Sequence, residues 1–198
     1  MIERYLDGLI INKDNIIEDV GKQVLFGGKI SYLDKYKEIL IKDIYCIEYD
    51  IIYLNICKIL KNSNYKFLYD IDEMIIRLNS KPIIVIDDDT RNYFFNILSK
   101  FSINYLTHIM ELNGDNIIYV NTDKFYYKDK NLILPELHLS FTKSKIDYFY
   151  LIRGITTIIY QNNQFYYKGF RKTFDGNEIK KVILHNVRKD KLNNLLDG

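Results

Sequence analysis

Two short segments of this 198-residue chain carry side chains suited to phosphate chemistry. The first is Ile117-Ile118-Tyr119-Val120, the turn Asn121-Thr122-Asp123, and then Phe125-Tyr126-Tyr127. Apolar runs on both sides of a turn predict a β-hairpin with Asn121 and Asp123 at its tip. Metal-assisted phosphoryl transfer needs carboxylates held rigidly within a few ångströms. A hairpin tip anchored by apolar strands provides that. The second segment is Lys58-Ile59-Leu60-Lys61-Asn62-Ser63-Asn64-Tyr65-Lys66-Phe67. Lys58 and Tyr65 lie two helical turns apart, so both can face one pocket. A lysine there suits triphosphate oxygens, and a flat tyrosine packs against a sugar and base. Each segment also has a plainer explanation. Asn-Thr-Asp is an ordinary turn, and Asn-Ser-Asn is how many helices fray.

The remaining clusters favour structural roles. Asp87-Asp88-Asp89 before Thr90 reads as an N-cap run that complements a helix dipole. Asp70, Asp72 and Glu73 read as a solvated edge. His108, His138 and His185 are far apart and show no ligand spacing, which argues against zinc. Cys46 and Cys57, if on one helix, would be separated by about 16 Å of rise, beyond disulfide reach. They read as reduced core thiols of an intracellular protein. The chain contains no GxGxxG, Walker loop or GxSxG, and no repeat. The basic residues Arg171, Lys172, Lys180, Lys181, Arg188, Lys189 and Lys191 suit either phosphate contact or a solvated surface.

These residues need elements to position them. Residues 1–12 read as a short helix or strand. A helix is expected over 31–42, after Gly27-Gly28, and a longer one over 44–62. Glu48, Asn55, Lys58 and Asn62 are spaced to form one polar stripe on that longer helix, whose other faces are apolar. A strand over 81–87 leads into a helix over 90–112. Hairpins follow over 117–127 and over 155–160 with 164–169, and a last strand over 180–187. The sum is α+β, a helical segment followed by a mostly antiparallel sheet.

Composition bounds the rest. Apolar residues make up 47% of the chain, enough for a buried core. The apolar runs are far too short for a membrane span, and no leader pattern opens the chain. There is no alanine, while isoleucine, asparagine, lysine and tyrosine abound, as a very AT-rich genome would dictate. Tyrosine and lysine richness is therefore poor testimony to function. The net charge of +2 is too balanced for a protein held on nucleic acid by bulk charge alone.

The order of the patterns carries a resemblance. Lys58 to Phe67 resembles motif B of family B DNA polymerases, K-x-x-x-N-S-x-Y-G, with Lys66 where the family has glycine. Ile117 to Tyr127 resembles motif C, Y-x-D-T-D-S, with Asn121 at the first aspartate and Lys124 at the serine. Residues 26–43 are similar to the first fingers helix of the protein-primed branch. Lys143 to Tyr160 is similar to the strand pair of the K-x-Y motif, although Ile155-Thr156-Thr157 replaces the motif itself and Arg153 is the nearest base. Residues 179–187 are similar to the palm's exit toward the thumb. The resemblance spans roughly residues 26–187. A weaker similarity of residues 26–29 and 69–73 to a phage family A palm leaves 80–198 unaccounted for.

Motif A, D-x-x-S-L-Y-P, has no clear counterpart. Reading Glu48-Tyr49-Asp50-Ile51-Ile52-Tyr53 as a decayed motif A would leave no room for fingers before Lys58 and would put a strand where the polar stripe favours a helix. The resemblance therefore implies a polymerase fragment whose motif A comes from another chain. Its expected divisions are a lead-in (1–27), fingers-like helices (28–67), a palm-like α+β part (68–187) and a tail (188–198). Asp123 would bind Mg2+ with Asn121 beside it, and Lys58, Asn62 and Tyr65 would bind the dNTP. Arg153, Lys168, Arg171 and Lys172 would contact DNA. The expected partners are DNA, dNTP and a second polymerase chain carrying motif A and an exonuclease, in the cytoplasm of a cell hosting a virus or plasmid. The alternative is a catalytically decayed palm acting as a DNA-binding or replication/virion scaffold.

Overall fold

The longest helix shows how local sequence sets an element's limits. α3 (Asp88–Asn113) starts at Asp87, whose carboxylate accepts a hydrogen bond from the Thr90 amide at 2.8 Å. Thr90, through its side chain first and then through this amide, holds the Asp87 carboxyl below its ordinary range. The acidic run is thus a helix cap, as its position implied. The helix stops at Gly114, whose φ of 47° suits glycine. Phe94, Ile97, Leu98, Phe101, Leu106 and Ile109 are all buried along it.

The computed structural model describes residues 2–19, 38–49, 52–80, 85–121, 124–137, 139–152, 156–168 and 176–196. Contacts divide the chain into two units, residues 1–32 with 46–143, and residues 33–45 with 144–198. In the first unit a 3-10 turn (Ile2–Leu6) precedes β1 (Ile10–Ile11) and β2 (Ile16–Asp19). These strands join β4 (Lys66–Phe67) in a small mixed sheet. α1 (Ile52–Lys61) and α2 (Ile71–Asn79) pack with α3. After α3 come β5 (Ile117–Asn121) and β6 (Lys124–Tyr127), an antiparallel hairpin.

The second unit holds β7 (Thr142–Ile152) from residue 144 onward, β8 (Thr156–Gln161), β9 (Gln164–Lys168) and α4 (Asn177–Leu196). The β8–β9 turn takes Asn162 and Asn163 to φ of 50° and 62°, a conformation asparagine tolerates. β3 (Glu38–Glu48) completes a six-stranded antiparallel sheet in the order β5-β6-β3-β7-β8-β9. Helices precede most of this sheet, so the α+β class expected from the sequence is the observed one. Among the described residues no helix is long and apolar enough to cross a membrane.

Four expected elements differ. Residues 31–37 lie outside the described residues, but Glu38 to Lys42 are strand, not helix. The 44–62 helix is really the end of β3 followed by the shorter α1. Only Asn55 and Lys58 of the supposed stripe lie on α1, because Glu48 is on β3 and Asn62 follows the helix. An interior strand buried on both faces reads as a near-continuous apolar run, which imitates a buried helix. Ile44, Cys46 and Ile47 of β3 are buried in this way. The expected strand over 180–187 is helical. Ile179, Ile183 and Val187 recur every four residues and pack on Tyr148, Tyr150, Ile158 and Tyr160, while Val182 and Leu184 stay exposed. Of the expected strand over 81–87, residues 81–84 lie outside the described residues and Val85 to Asp87 form no regular element.

α4 is also fastened by charge. Asp190 accepts from Lys42 Nζ at 2.8 Å and from the Tyr148 hydroxyl at 2.5 Å. Lys42 first, then Tyr148, holds the Asp190 carboxyl below its ordinary range. A lowered folded pKa stabilises the fold above the ordinary carboxylate value and ceases to do so as pH falls through the folded one. Asp190→Asn is therefore expected to lower Tm at neutral pH. Thermal melts of the two proteins should converge as the pH falls below about 4.

Candidate functional site

The hairpin is anchored before it is functional. Ile117, Ile118, Val120, Phe125, Tyr126 and Tyr127 are buried, so the two strands cannot slip without exposing a core face. Val120 pairs with Phe125 and Asn121 with Lys124, which fixes the tip around residues 122 and 123. Thr122 and Asp123 lie outside the described residues, and of Asn121 only the backbone is described.

Beside the hairpin's β6 strand lies the end of β3. Tyr49, just past that end, is 1% exposed and meets Tyr105, Phe125 and Phe141 edge-on at 5.8–6.0 Å. Burial pushes the Tyr49 hydroxyl far above the ordinary phenol range, so it stays protonated. With Tyr49 locked inward, the preceding residue turns to the opposite face of the strand. That residue is Glu48, and its carboxylate meets Lys124 Nζ at 2.6 Å. Both side chains remain partly exposed, at 38% and 28%. A carboxylate thus stands at a strand end, one cross-strand contact from the residue that follows Asp123.

Of the two grounds against Glu48-Tyr49-Asp50-Ile51-Ile52-Tyr53 as a motif A counterpart, the lack of room for fingers before Lys58 is unchanged, whereas the expected helix is not found. A strand does run into it, and α1 starts only at Ile52. Asp50 and Ile51 themselves lie outside the described residues.

The expected nucleotide residues cluster at the far end of α1. Ile52, Leu54, Ile56, Cys57 and Leu60 are buried, which turns Lys58 outward. Among the described residues Lys58 has no ion-pair partner. The Asn62 amide donates to the Lys58 carbonyl at 3.3 Å. Ser63 Oγ donates to the Leu60 carbonyl at 2.5 Å and accepts from the Tyr65 amide at 3.2 Å. The Asn-Ser-Asn turn therefore closes the helix by its own hydrogen bonds. Burial first, and then nearby Glu3, raises the Tyr65 hydroxyl. The described contacts bring Glu48 and Lys124 together and include none between Lys58 and the hairpin.

Of the expected DNA contacts, Arg153, Arg171 and Lys172 lie outside the described residues, and Lys168 is described only as the last residue of β9. Cys46 and Cys57 are buried free thiols on β3 and α1, not on one helix, and burial pushes Cys57 up to about 12. His108 sits at a cavity of about 220 Å³ with Arg4, Asp7, Asn104 and Glu111, where it pairs with the Tyr5 hydroxyl at 2.9 Å. Burial, then Arg4, lowers its pKa. Among the described residues no group of three His, Cys, Asp or Glu is placed to hold a metal ion. Lys124 and Glu48 are the pair that sequence reading underused. The clue was available, since Ile39, Ile41, Ile44, Tyr45 and Ile47 are strong strand formers.

Comparison with protein-family models, curated proteins and solved structures finds no match to this chain.

A partly exposed ion pair of this kind contributes about 0.2–1 kcal/mol and is screened by salt. A double-mutant cycle with Glu48→Gln and Lys124→Ser should return a coupling in that range in dilute buffer. The coupling should fade toward zero in about 1 M salt, read from urea midpoints.

Proposed function

We propose that this chain is the palm-type core of a DNA polymerase resembling the protein-primed family B enzymes. The observation that carries the reading is the Glu48–Lys124 contact. It joins a strand ending in a carboxylate to the hairpin whose turn contains Asp123. Two acidic positions on adjacent strands are what metal-assisted nucleotidyl transfer requires. In this reading the acid at the end of β3 takes the motif A role, so that carboxylate need not come from another chain. A second chain would still bring the exonuclease.

The donors suit Mg2+, a hard cation that prefers carboxylate and amide oxygens. Asp123 and Glu48 would hold it, with Asn121 alongside. Bound Mg2+ would neutralise charge that develops on the transferred phosphoryl group. Lys58 would meet the triphosphate, and Asn62 and Tyr65 would line the nucleotide pocket. Arg153, Lys168, Arg171 and Lys172 would hold DNA phosphates. The primer 3′-hydroxyl then attacks the α-phosphorus of the dNTP, a new P–O bond forms and pyrophosphate leaves. Such an enzyme would copy a viral or plasmid genome in the cytoplasm.

One observation favours a second reading. Lys124 already neutralises Glu48 without any metal. A palm that has lost catalysis would keep such a pair as a structural tie and bind DNA as a scaffold.

Primer extension separates the two readings. The full chain with primed template, dNTPs and Mg2+ should extend the primer, and Asp123→Asn should abolish this. Glu48→Gln should slow it on the order of 100-fold, as expected for removal of one transition-state contact. Extension that survives Asp123→Asn would sink the polymerase reading. In the scaffold reading nucleotide and Mg2+ together leave Tm unchanged, whereas a joint rise would count against it.

A further inference from the structure

Several buried tyrosines of this chain give their hydroxyl hydrogen to an oxygen. Tyr105 donates to the Leu137 carbonyl at 3.1 Å, Tyr148 to Asp190 at 2.5 Å and Tyr150 to Glu38 at 2.6 Å. Tyr5 meets a nitrogen base instead. It is 1% exposed, and its hydroxyl lies 2.9 Å from Nδ1 of His108. Burial raises the Tyr5 hydroxyl, opposed by Arg4 and reinforced by Glu136, so the phenol keeps its hydrogen. That hydrogen needs an acceptor, and Nδ1 is the partner described for it. Nδ1 therefore accepts, and the proton of the neutral ring sits on Nε2.

The surroundings keep His108 ready to take a second proton. Burial first, then Arg4, lowers its pKa against the opposing pull of Glu111, so the ring is neutral at pH 7. His108 lines a cavity of about 220 Å³ with Asn104, Thr107 and Glu111 of α3 and with Arg4 and Asp7 of the N-terminal segment. Arg4 is itself paired with Glu111. On the other side of Tyr5 the aromatic rings continue inward. The Tyr105 centroid is 5.4 Å away, and that of Tyr49 lies 5.8 Å beyond it. Tyr49 in turn meets Phe125 of the hairpin at 6.0 Å.

Electrons cross gaps between touching rings, whereas a proton moves only along a hydrogen bond. A phenol that loses an electron becomes a very strong acid. Its oxidation is therefore eased where a base already holds the hydroxyl hydrogen. Tyr105 has only a carbonyl, which is a poor base. Tyr148 and Tyr150 have carboxylates, which in their ordinary forms take protons about two pH units less readily than imidazole. Asp190 is held lower still by Lys42.

We propose that Tyr5 and His108 form a proton-coupled redox site, at which one-electron oxidation of the first unit comes to rest. A one-electron oxidant at the cavity, an oxyl radical or an oxidised metal complex, takes one electron from Tyr5 and is reduced by it. The Tyr5 O–H bond breaks and its proton moves to Nδ1. The products are a neutral phenoxyl radical on Tyr5 and an imidazolium on His108. An electron lost from Tyr105 or Tyr49 is replaced along the ring chain from Tyr5. The site uses none of Asp123, Glu48, Lys124 or Lys58 and does not rest on the polymerase reading.

The test is flash photolysis of the full chain with a ruthenium tris-bipyridine photo-oxidant and a sacrificial electron acceptor, read by EPR and phenoxyl absorbance. Exposed tyrosines such as Tyr166 should give radicals that decay quickly, because solvent and reductants reach them. A second, long-lived phenoxyl signal is expected from Tyr5. Tyr5→Phe keeps the ring against Phe101 and Tyr105 and should remove the slow signal. His108→Gln keeps a hydrogen-bond acceptor but not a base. It should leave Tm nearly unchanged and cut the slow signal at least roughly 10-fold, the cost of one unit of lost basicity. A merely structural hydrogen bond would show no such loss. In the wild type the slow signal should shrink about tenfold per unit once the pH falls below the His108 pKa, because Nδ1 is then already protonated. That pKa lies below the ordinary 6.5. The proposal is overturned if no slow signal forms, if Tyr5→Phe retains it, or if His108→Gln gives the wild-type yield. A failure of primer extension would leave each of these outcomes unaffected.

Discussion

The burial of β3 constrains more of this structure than any other contact. Its residues Ile44, Cys46 and Ile47 are hidden together, and Tyr49 just beyond them is locked among Tyr105, Phe125 and Phe141. An interior strand cannot shift by one residue without moving every side chain to the opposite face. The register of β3 is therefore fixed by its apolar residues, and its polar ones must follow. Glu48 has no choice of face once Tyr49 is buried. The cross-strand contact with Lys124 is thus a consequence of packing rather than a cause of it. A partly exposed ion pair is too weak to have organised the strands.

How much of this was legible in the sequence depends on which competing pattern each segment offered. α3 was legible because its start carries an unambiguous cap, and Asp87 does bond the Thr90 amide. The two hairpins were legible because each has a polar turn between short apolar runs, and the Asn162-Asn163 turn is as expected. β3 was not legible. Its core residues are apolar on both faces, so period two leaves no trace, and the few polar residues happened to fall at helical spacing. α4 failed in the opposite direction. KKVILHNV looks like a strand locally, but Ile179, Ile183 and Val187 only find the tyrosines of β7 and β8 when four residues make one turn. In both cases tertiary burial overrode the local pattern.

The candidate site was legible in the same uneven way. A turn between apolar strands marks Asp123 without help from any other residue. The carboxylate that meets Lys124 was hidden, because naming Glu48 requires knowing that residues 38–48 are a strand and that this strand neighbours β6. Pairing between distant segments is not written in local periodicity. Lys58, Asn62 and Tyr65 illustrate the converse. Their spacing is readable, yet the hydrogen bonds of Ser63 show that the same letters also terminate a helix. Sequence spacing alone does not separate these roles.

A chain without alanine lacks the usual small filler of a core, and eight of its described tyrosines are buried. A buried tyrosine brings a hydroxyl that must be satisfied or held protonated at a cost. Several of these hydroxyls find specific acceptors. Tyr148 donates to Asp190, Tyr150 to Glu38 at 2.6 Å, and Tyr105 to the Leu137 carbonyl at 3.1 Å. Carboxylates that a richer alphabet would leave in solvent are thereby recruited to anchor aromatic side chains. Buried tyrosines thus shape the electrostatics of the fold as well as its packing.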